Sequence, residues 1–332
     1  MTLQVDSWAV EGAGSSPQIA RLMLTSATRS GNGIVDPADL EVQELAVPGT
    51  SVRVAAGAAV MYGQEAVFQG SYYAHNVGEE EVPVTATDGG GGRSDLLILR
   101  TEDPGIDGTP WVHDPATDKI YYFRIIEGVA SDTTEVPSGT TGVALARIDI
   151  PVSTATITQD MITDLRTMLQ PRTEYVIRTQ QGFDPIDYAG NIQTPNWENW
   201  PDLTWTVDIP EWATQVQVDA TWANAGYFPS DYSGSGSTDA RGETRISLKA
   251  GTDEILTTTG AYNHNELSDT NGYRVHMSVL DDVDIPSELR GVTAELRMQV
   301  SGDTVGGRLR ADDYMHAGVR LMFNEVPVSG AS

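Results

Sequence analysis

The sequence predicts an all-β protein: an N-terminal mixed-β domain and a C-terminal antiparallel β-sandwich or jelly roll, joined by a short α-helix. Three observations carry that expectation. Val, Thr, Ile and Tyr gather in short runs, 33 glycines and 17 prolines punctuate them, and charged residues make up only 20% of the chain. At 332 residues the chain exceeds one ordinary sandwich and suits two domains of roughly 100–160 residues, each able to bury its own core.

Residues 1–45 read as an arm or a first pair of strands, because Pro17 to Ser26 carries apolar side chains without a clean period and Asp36-Pro37-Ala38-Asp39-Leu40 reads as a turn. Residues 46–157 form the first β domain. Val52 and Val54 alternate, Ala58 to Tyr62 follows, and Val67-Phe68-Gln69-Gly70-Ser71-Tyr72-Tyr73 is strongly β-prone, with Gly57, Gly63 and Gly70 between the runs. Leu96 to Arg100, entered from the Gly89–Gly92 loop, and Ile120 to Ile126 read as buried strands, and Val143 to Ile150 is a last strand that stops at Pro151.

Residues 158–172 are the predicted helical linker. Thr158 can cap a helix, Asp160 lies in its first turn where the dipole favours an acid, and Pro171 ends it. Met161, Ile162, Leu165, Met168 and Leu169 would share one face of that helix. A stripe this wide on a short helix must be buried, either on the preceding domain or on a copy of itself, and a homotrimer is the expected assembly.

Residues 173–332 form the predicted sandwich. Val216, Val218, Ala220 and Trp222 alternate inward with Gln215, Gln217, Asp219 and Thr221 outward. Period-2 runs follow at Ile246/Leu248, Tyr273/Val275/Met277/Val279, Ala294/Leu296/Met298/Val300 and Val319/Leu321/Phe323. Ala223–Gly242, rich in glycine and serine, is expected to be an exposed loop.

Composition excludes several functions. The formal net charge is −27 and lysine occurs only at Lys119 and Lys249, so no basic stripe could neutralise a nucleic-acid backbone, and anionic membranes are repelled. There is no cysteine, which removes disulfides, thiolate catalysis and thiolate zinc sites. The N-terminus lacks a basic region followed by an apolar one, and no run approaches the roughly 18 apolar residues of a membrane span, so synthesis in a cytosol is expected.

His75, His113, His264, His276 and His316 show no paired metal-binding spacing, and no nucleophile-elbow or phosphate-loop motif occurs. Asp281-Asp282-Val283-Asp284 comes nearest to a calcium loop but lacks the glycine and terminal glutamate of an EF-hand. No catalytic residue, metal or cofactor is therefore expected. Trp197, Trp200, Trp205, Trp212 and Trp222 cluster in sequence; Trp205 and Trp222 lie in strands and suit the core. Trp197 and Trp200, with Tyr227 and Tyr232, fall in loops at one sandwich end and are the candidate contacts for a glycan.

Four segments carry a resemblance: Val54 to Val60, Arg93 to Arg100, Leu145 to Pro151, and Ile157 to Arg166. In their order and spacing they resemble minor tail or baseplate proteins of the actinobacteriophage type, over roughly the first half of the chain. The resemblance implies a structural virion protein at the tail tip, made in the host cytoplasm. Its 46–157 domain would dock on other tail proteins, and its C-terminal head would be free to touch a host-surface glycan. Arg93, Asp95 and Arg100 flank a buried strand, and Asp164 and Arg166 flank the helix stripe, so these are either complementary pairs that set the register between subunits or ordinary surface charges at strand and helix ends. The rival expectation is a carbohydrate-binding sandwich module of a bacterial extracellular protein.

Overall fold

A computed structural model describes residues 14, 16–103, 105–106, 117–184, 187–189, 196–228, 240–264, 273–303 and 308–329. The chain divides into two compact units, Met1–Pro171 with Val326–Ser332, and Arg172–Glu325. The second unit starts one residue before the expected boundary. The return of the last segment to the first unit was not expected. Both units are built of antiparallel sheets, in accord with the all-β expectation.

The first described element of the first unit is a helix, α1 (Pro17–Thr28), where an arm or strands were expected. Pro17 at its start has a φ already suited to a helix, and Arg29 in the left-handed conformation ends it. Thr25, Ser26 and Thr28 weaken the helical signal in the sequence. In the fold their hydroxyls donate to the carbonyls of Arg21, Leu22 and Leu24 four residues back.

Ten strands follow: β1 (Gly33–Ile34), β2 (Val42–Glu44), β3 (Ser51–Val54), β4 (Gly57–Tyr62), β5 (Ser71–Asn76), β6 (Glu80–Pro83), β7 (Arg93–Thr101), β8 (Tyr121–Val129), β9 (Gly142–Ile150) and β10 (Ile162–Asp164). They form sheets ordered β1-β4-β5, β2-β3-β6 and β10-β9-β7-β8. One core joins all three: Ile34, Val52, Val54, Met61, Leu97, Leu145 and Ile148 are fully or almost fully buried in it. Burial of each such side chain is worth about 1.5–3 kcal/mol.

The predicted linker helix is absent. Gln159–Met161 is a single 3-10 turn, and Ile162 to Asp164 then pairs with β9, placing Ile162 opposite Ile148. β-branched Ile162 and Thr163 suit that pleat, and the Asp164 carboxylate accepts the Arg166 N–H two residues on, a local bond that competes with helix. The five-residue stripe is dispersed with it. Met161, Ile162 and Met168 pack on the first unit's core, Leu165 packs beside Leu96 and Ile98, and the Leu169 N–H donates to the Ile34 carbonyl. The homotrimer expectation rested on that stripe and loses its ground.

Val67 to Gly70 is also no strand. Strand β5 starts at Ser71, and Phe68 adopts a left-handed φ of 61° at a turn.

The second unit contains β11 (Thr173–Gln181), β12 (Asp187–Ala189), β13 (Glu198–Asp208), β14 (Gln215–Phe228), β15 (Ala240–Ala250), β16 (Asp253–Leu256), β17 (Gly260–His264), β18 (Tyr273–Asp284), β19 (Thr293–Asp303), β20 (Arg308–Ala311) and β21 (His316–Asn324). One sheet runs β11-β21-β14-β20-β12 with β18 also on β14; the other runs β13-β19-β15-β16 with β17 also on β15. The inward positions named from the alternation between Val216 and Phe323 are buried wherever the side chain is described.

Within the expected loop from Ala223 to Gly242, the described residues are strand: β14 runs as far as Phe228 and β15 is described from Ala240. A bulge between Trp222 and Ala225, with Asn224 at φ 57°, shifts the phase by one residue and brings Ala225 and Tyr227 inward.

Candidate functional site: an exposed sheet face of the second unit

The outer face of the β11-β21-β14-β18 sheet is built in rows by the strand register. Tyr175, Met322, Gln217 and Asp282 form one row; Ile177, Arg320, Asp219 and Leu280 form the next. Three large apolar side chains stand free on this face: Tyr175 is 62% exposed, Ile177 61% and Leu280 72%. Between them Arg320 pairs with the Asp219 carboxylate, and Gln215 Nε2 donates to Asp282 Oδ2 at 3.2 Å. Tyr175, Gln217, Leu280, Asp282, Arg320 and Met322 line a concavity of about 550 Å³.

Such a surface offers a ring face, aliphatic area and a rim of fixed polar groups. Those are the means of binding a partner, and no nucleophile is set beside a base among its lining residues. Asp281 next to it is occupied by the backbone N–H groups of Thr258, at 2.6 Å, and Asp282. Among the described residues, no three His, Asp or Glu side chains gather so as to hold a metal ion.

This face was not singled out in the sequence, although a signal existed. Leu280 and Met322 are apolar at the outward phase of strands that otherwise alternate cleanly, and Tyr175-Val176-Ile177 is apolar on both faces.

The aromatic set named from the sequence does not converge. Trp200 and Tyr227 are 1% and 0% exposed and belong to the second unit's core, so neither presents a ring to a ligand. Trp200 is drawn inward where the β13–β19 register shifts after Asn199, and Trp222 donates its indole N–H to the Trp200 carbonyl at 2.9 Å. Trp197 is half-buried, with the Arg245 guanidinium 4.0 Å from its ring centroid. Arg245 in turn donates to Gln299, which donates to Asn199, forming a ladder across the outside of the second sheet. Tyr232 and His113 lie outside the described residues.

His264 stacks on Tyr262, their ring centroids 6.3 Å apart, and burial holds its pKa below the ordinary histidine value. Burial also tends to raise the Asp312 carboxyl. The hydrogen bonds from Arg274 and the Tyr314 N–H outweigh it, with Arg310 beside them, and leave that pKa below the usual carboxylate range.

The charged residues flanking the resembling segments are used within the first unit rather than held ready for a neighbour. Arg93 grips the fully buried Asp95 at 2.7 Å, and Arg100 reaches Glu65 and Glu102, each at 3.2 Å. Arg166, its side chain fully buried, donates to Asp164 Oδ2 at 2.7 Å and to the carbonyls of Pro37, Asp39 and Val328. One guanidinium thus fastens three separate pieces of chain.

No family model and no curated protein matches the chain. Among solved structures it is similar to a subviral particle of infectious bursal disease virus VP2, at 12% identity and a TM-score of 0.26, over 91% of this chain and 74% of that one. The Gx strain of the same virus matches at 13% identity and 0.28, over 90% and 73%. A carbohydrate-binding module of the β-sandwich superfamily matches at 7% identity and 0.14, over 88% and 96%.

Proposed function

We propose that the chain is a structural, non-enzymatic component of a bacteriophage tail tip, whose first unit docks on other tail proteins and whose second unit is turned toward the host. The observation that carries this reading is where the four resembling segments fall. Val54 to Val60 spans β3 and β4, Arg93 to Arg100 is β7, Leu145 to Pro151 ends β9, and Ile157 to Arg166 holds the 3-10 turn and β10. Residues of all four meet in one core, and Arg166 ties that frame to Pro37, Asp39 and Val328. A resemblance distributed over a whole scaffold supports a shared architecture better than one confined to a single strand.

The test is to label this chain with a specific antibody on purified particles of the phage that encodes it. Signal at the tail tip is expected; absence of the chain from particles overturns the proposal.

The exposed Tyr175, beside Gln217, Asp219 and Arg320, favours a second reading in which the second unit is a glycan-binding module. A flat ring flanked by bidentate polar groups suits a sugar. Tyr175→Ala should then abolish binding to host-wall polysaccharide in a titration; unchanged binding removes this reading.

A further inference from the structure

Strand β11 is a long, unbroken edge, and the two charges it carries, Glu174 and Arg178, are opposite in sign. Among the described residues its only strand partner is β21. It runs nine residues, Thr173-Glu174-Tyr175-Val176-Ile177-Arg178-Thr179-Gln180-Gln181, with no proline, glycine or lysine, and every residue is exposed or half-exposed. Natural sheets shorten, bulge or charge such edges because unpaired N–H and C=O groups are a template for another strand.

Three other edges of this unit, at β18, β12 and β13, are guarded. Beside β18, the Thr258 N–H donates to Asp281, and a Cβ added at Gly260 would lie 3.0 Å from the Ser278 carbonyl oxygen. β12 is three residues long. At the open edge of β13, the Thr206 carbonyl already accepts from Arg178 Nη2 at 3.0 Å.

The sequence of β11 is complementary to itself in one antiparallel register. Centred on Val176, Glu174 faces Arg178 of the second copy, Tyr175 faces Ile177 and Thr173 faces Thr179. The exposed apolar pair then meets its own counterpart on one face, and a carboxylate meets a guanidinium on the other, twice per contact. Glu174 has no ion-pair partner among the described residues. Directly opposed residues share a face in an antiparallel pair, so the match holds in pleat as well as in sequence. Opposite-sign contacts also answer the repulsion between chains that each carry a net charge of −27.

We infer that β11 pairs with β11 of a second copy of this chain about a two-fold axis at Val176, joining two six-stranded sheets into one. This does not depend on where in a virion, if anywhere, the chain resides.

The absence of native cysteine makes the test direct. In the full chain, Val176→Cys places two thiols on the axis, where opposed Cβ atoms lie about 4.5–5.5 Å apart and a disulfide is within reach of a small adjustment. Gln181→Cys places them about 34 Å apart, at about 3.4 Å per residue over ten residues. Mild oxidation should cross-link V176C into a dimer and leave Q181C monomeric on a denaturing gel.

Glu174→Arg sets like charges face to face and should raise the dimer dissociation constant about tenfold, and the swap E174R/R178E should restore it. Thermal transitions followed by circular dichroism confirm that each variant is folded. Failure of V176C to cross-link, equal cross-linking of Q181C, or a dimer indifferent to E174R overturns the inference. A folded double swap that fails to restore the dimer overturns the register.

Discussion

Trp222 and Trp200 are the two largest fully buried side chains of the second unit, tied by an indole N–H to carbonyl bond of 2.9 Å. Trp200→Ala should therefore cost about 3–5 kcal/mol in urea denaturation, the usual price of a large cavity. Trp197→Ala, which removes a half-buried ring and one cation–π contact, should cost only about 1 kcal/mol. Equal losses would contradict the assignment of these neighbours to core and surface. His264 gives a pH test. Its folded pKa lies below the unfolded value of 6.5, so the folded state resists protonation; its contribution is present above 6.5 and is lost as pH falls below it. His264→Phe should flatten the stability of the second unit against pH just below 6.5, measured by denaturation at fixed pH steps. At this scale the sequence was informative where side chains alternate, as for Trp222. It misled at Trp200 because a change of strand register, which no local pattern marks, turned a loop-like tryptophan inward.

The turn from Gly63 to Gly70 shows why some elements were not legible. Gln69, 1% exposed, accepts the N–H groups of Glu65 and Ala66 on Oε1, and its Nε2 lies within hydrogen-bond distance of Glu65 Oε2, Tyr72 OH and Thr141 Oγ1. Arg21, from α1, donates to the Gln69 carbonyl at 2.7 Å. A β-prone run is thereby held as a turn by partners 48 and 72 residues distant. Gln69→Ala should cost about 1–3 kcal/mol, and the amides of Glu65 and Ala66 should exchange with solvent far faster while those of β7 and β9 are unchanged. Uniform loss of protection would contradict the local role. The 158–172 segment failed as a helix for a related reason. Its cap and apolar spacing were real, but β9 offered Ile162 and Thr163 a ladder of hydrogen bonds, and tertiary pairing outweighed a short helix of modest propensity.

Across the whole molecule, the strand patterns on the two sides of residue 172 were legible because each is separately complete in the sequence. The return of Val326–Ser332 was not, since it depends on the Val328 N–H reaching the Pro37 carbonyl and on Arg166 reaching Val328. Arg166→Ala removes a buried guanidinium that serves the carbonyls of Pro37, Asp39 and Val328 and should lower the first unit's stability by about 1–3 kcal/mol. In calorimetry that should appear as an earlier first-unit transition, with the second unit's unmoved; a shift of both by the same amount would contradict two separate cores. The second unit carries an open strand edge and an apolar sheet face, and pairing of β11 between copies, as inferred above, would make the chain at least a dimer. Light scattering on the full chain at micromolar concentration tests that most directly. A mass of at least twice the 35.7 kDa chain is expected; a folded monomer throughout that range would contradict it.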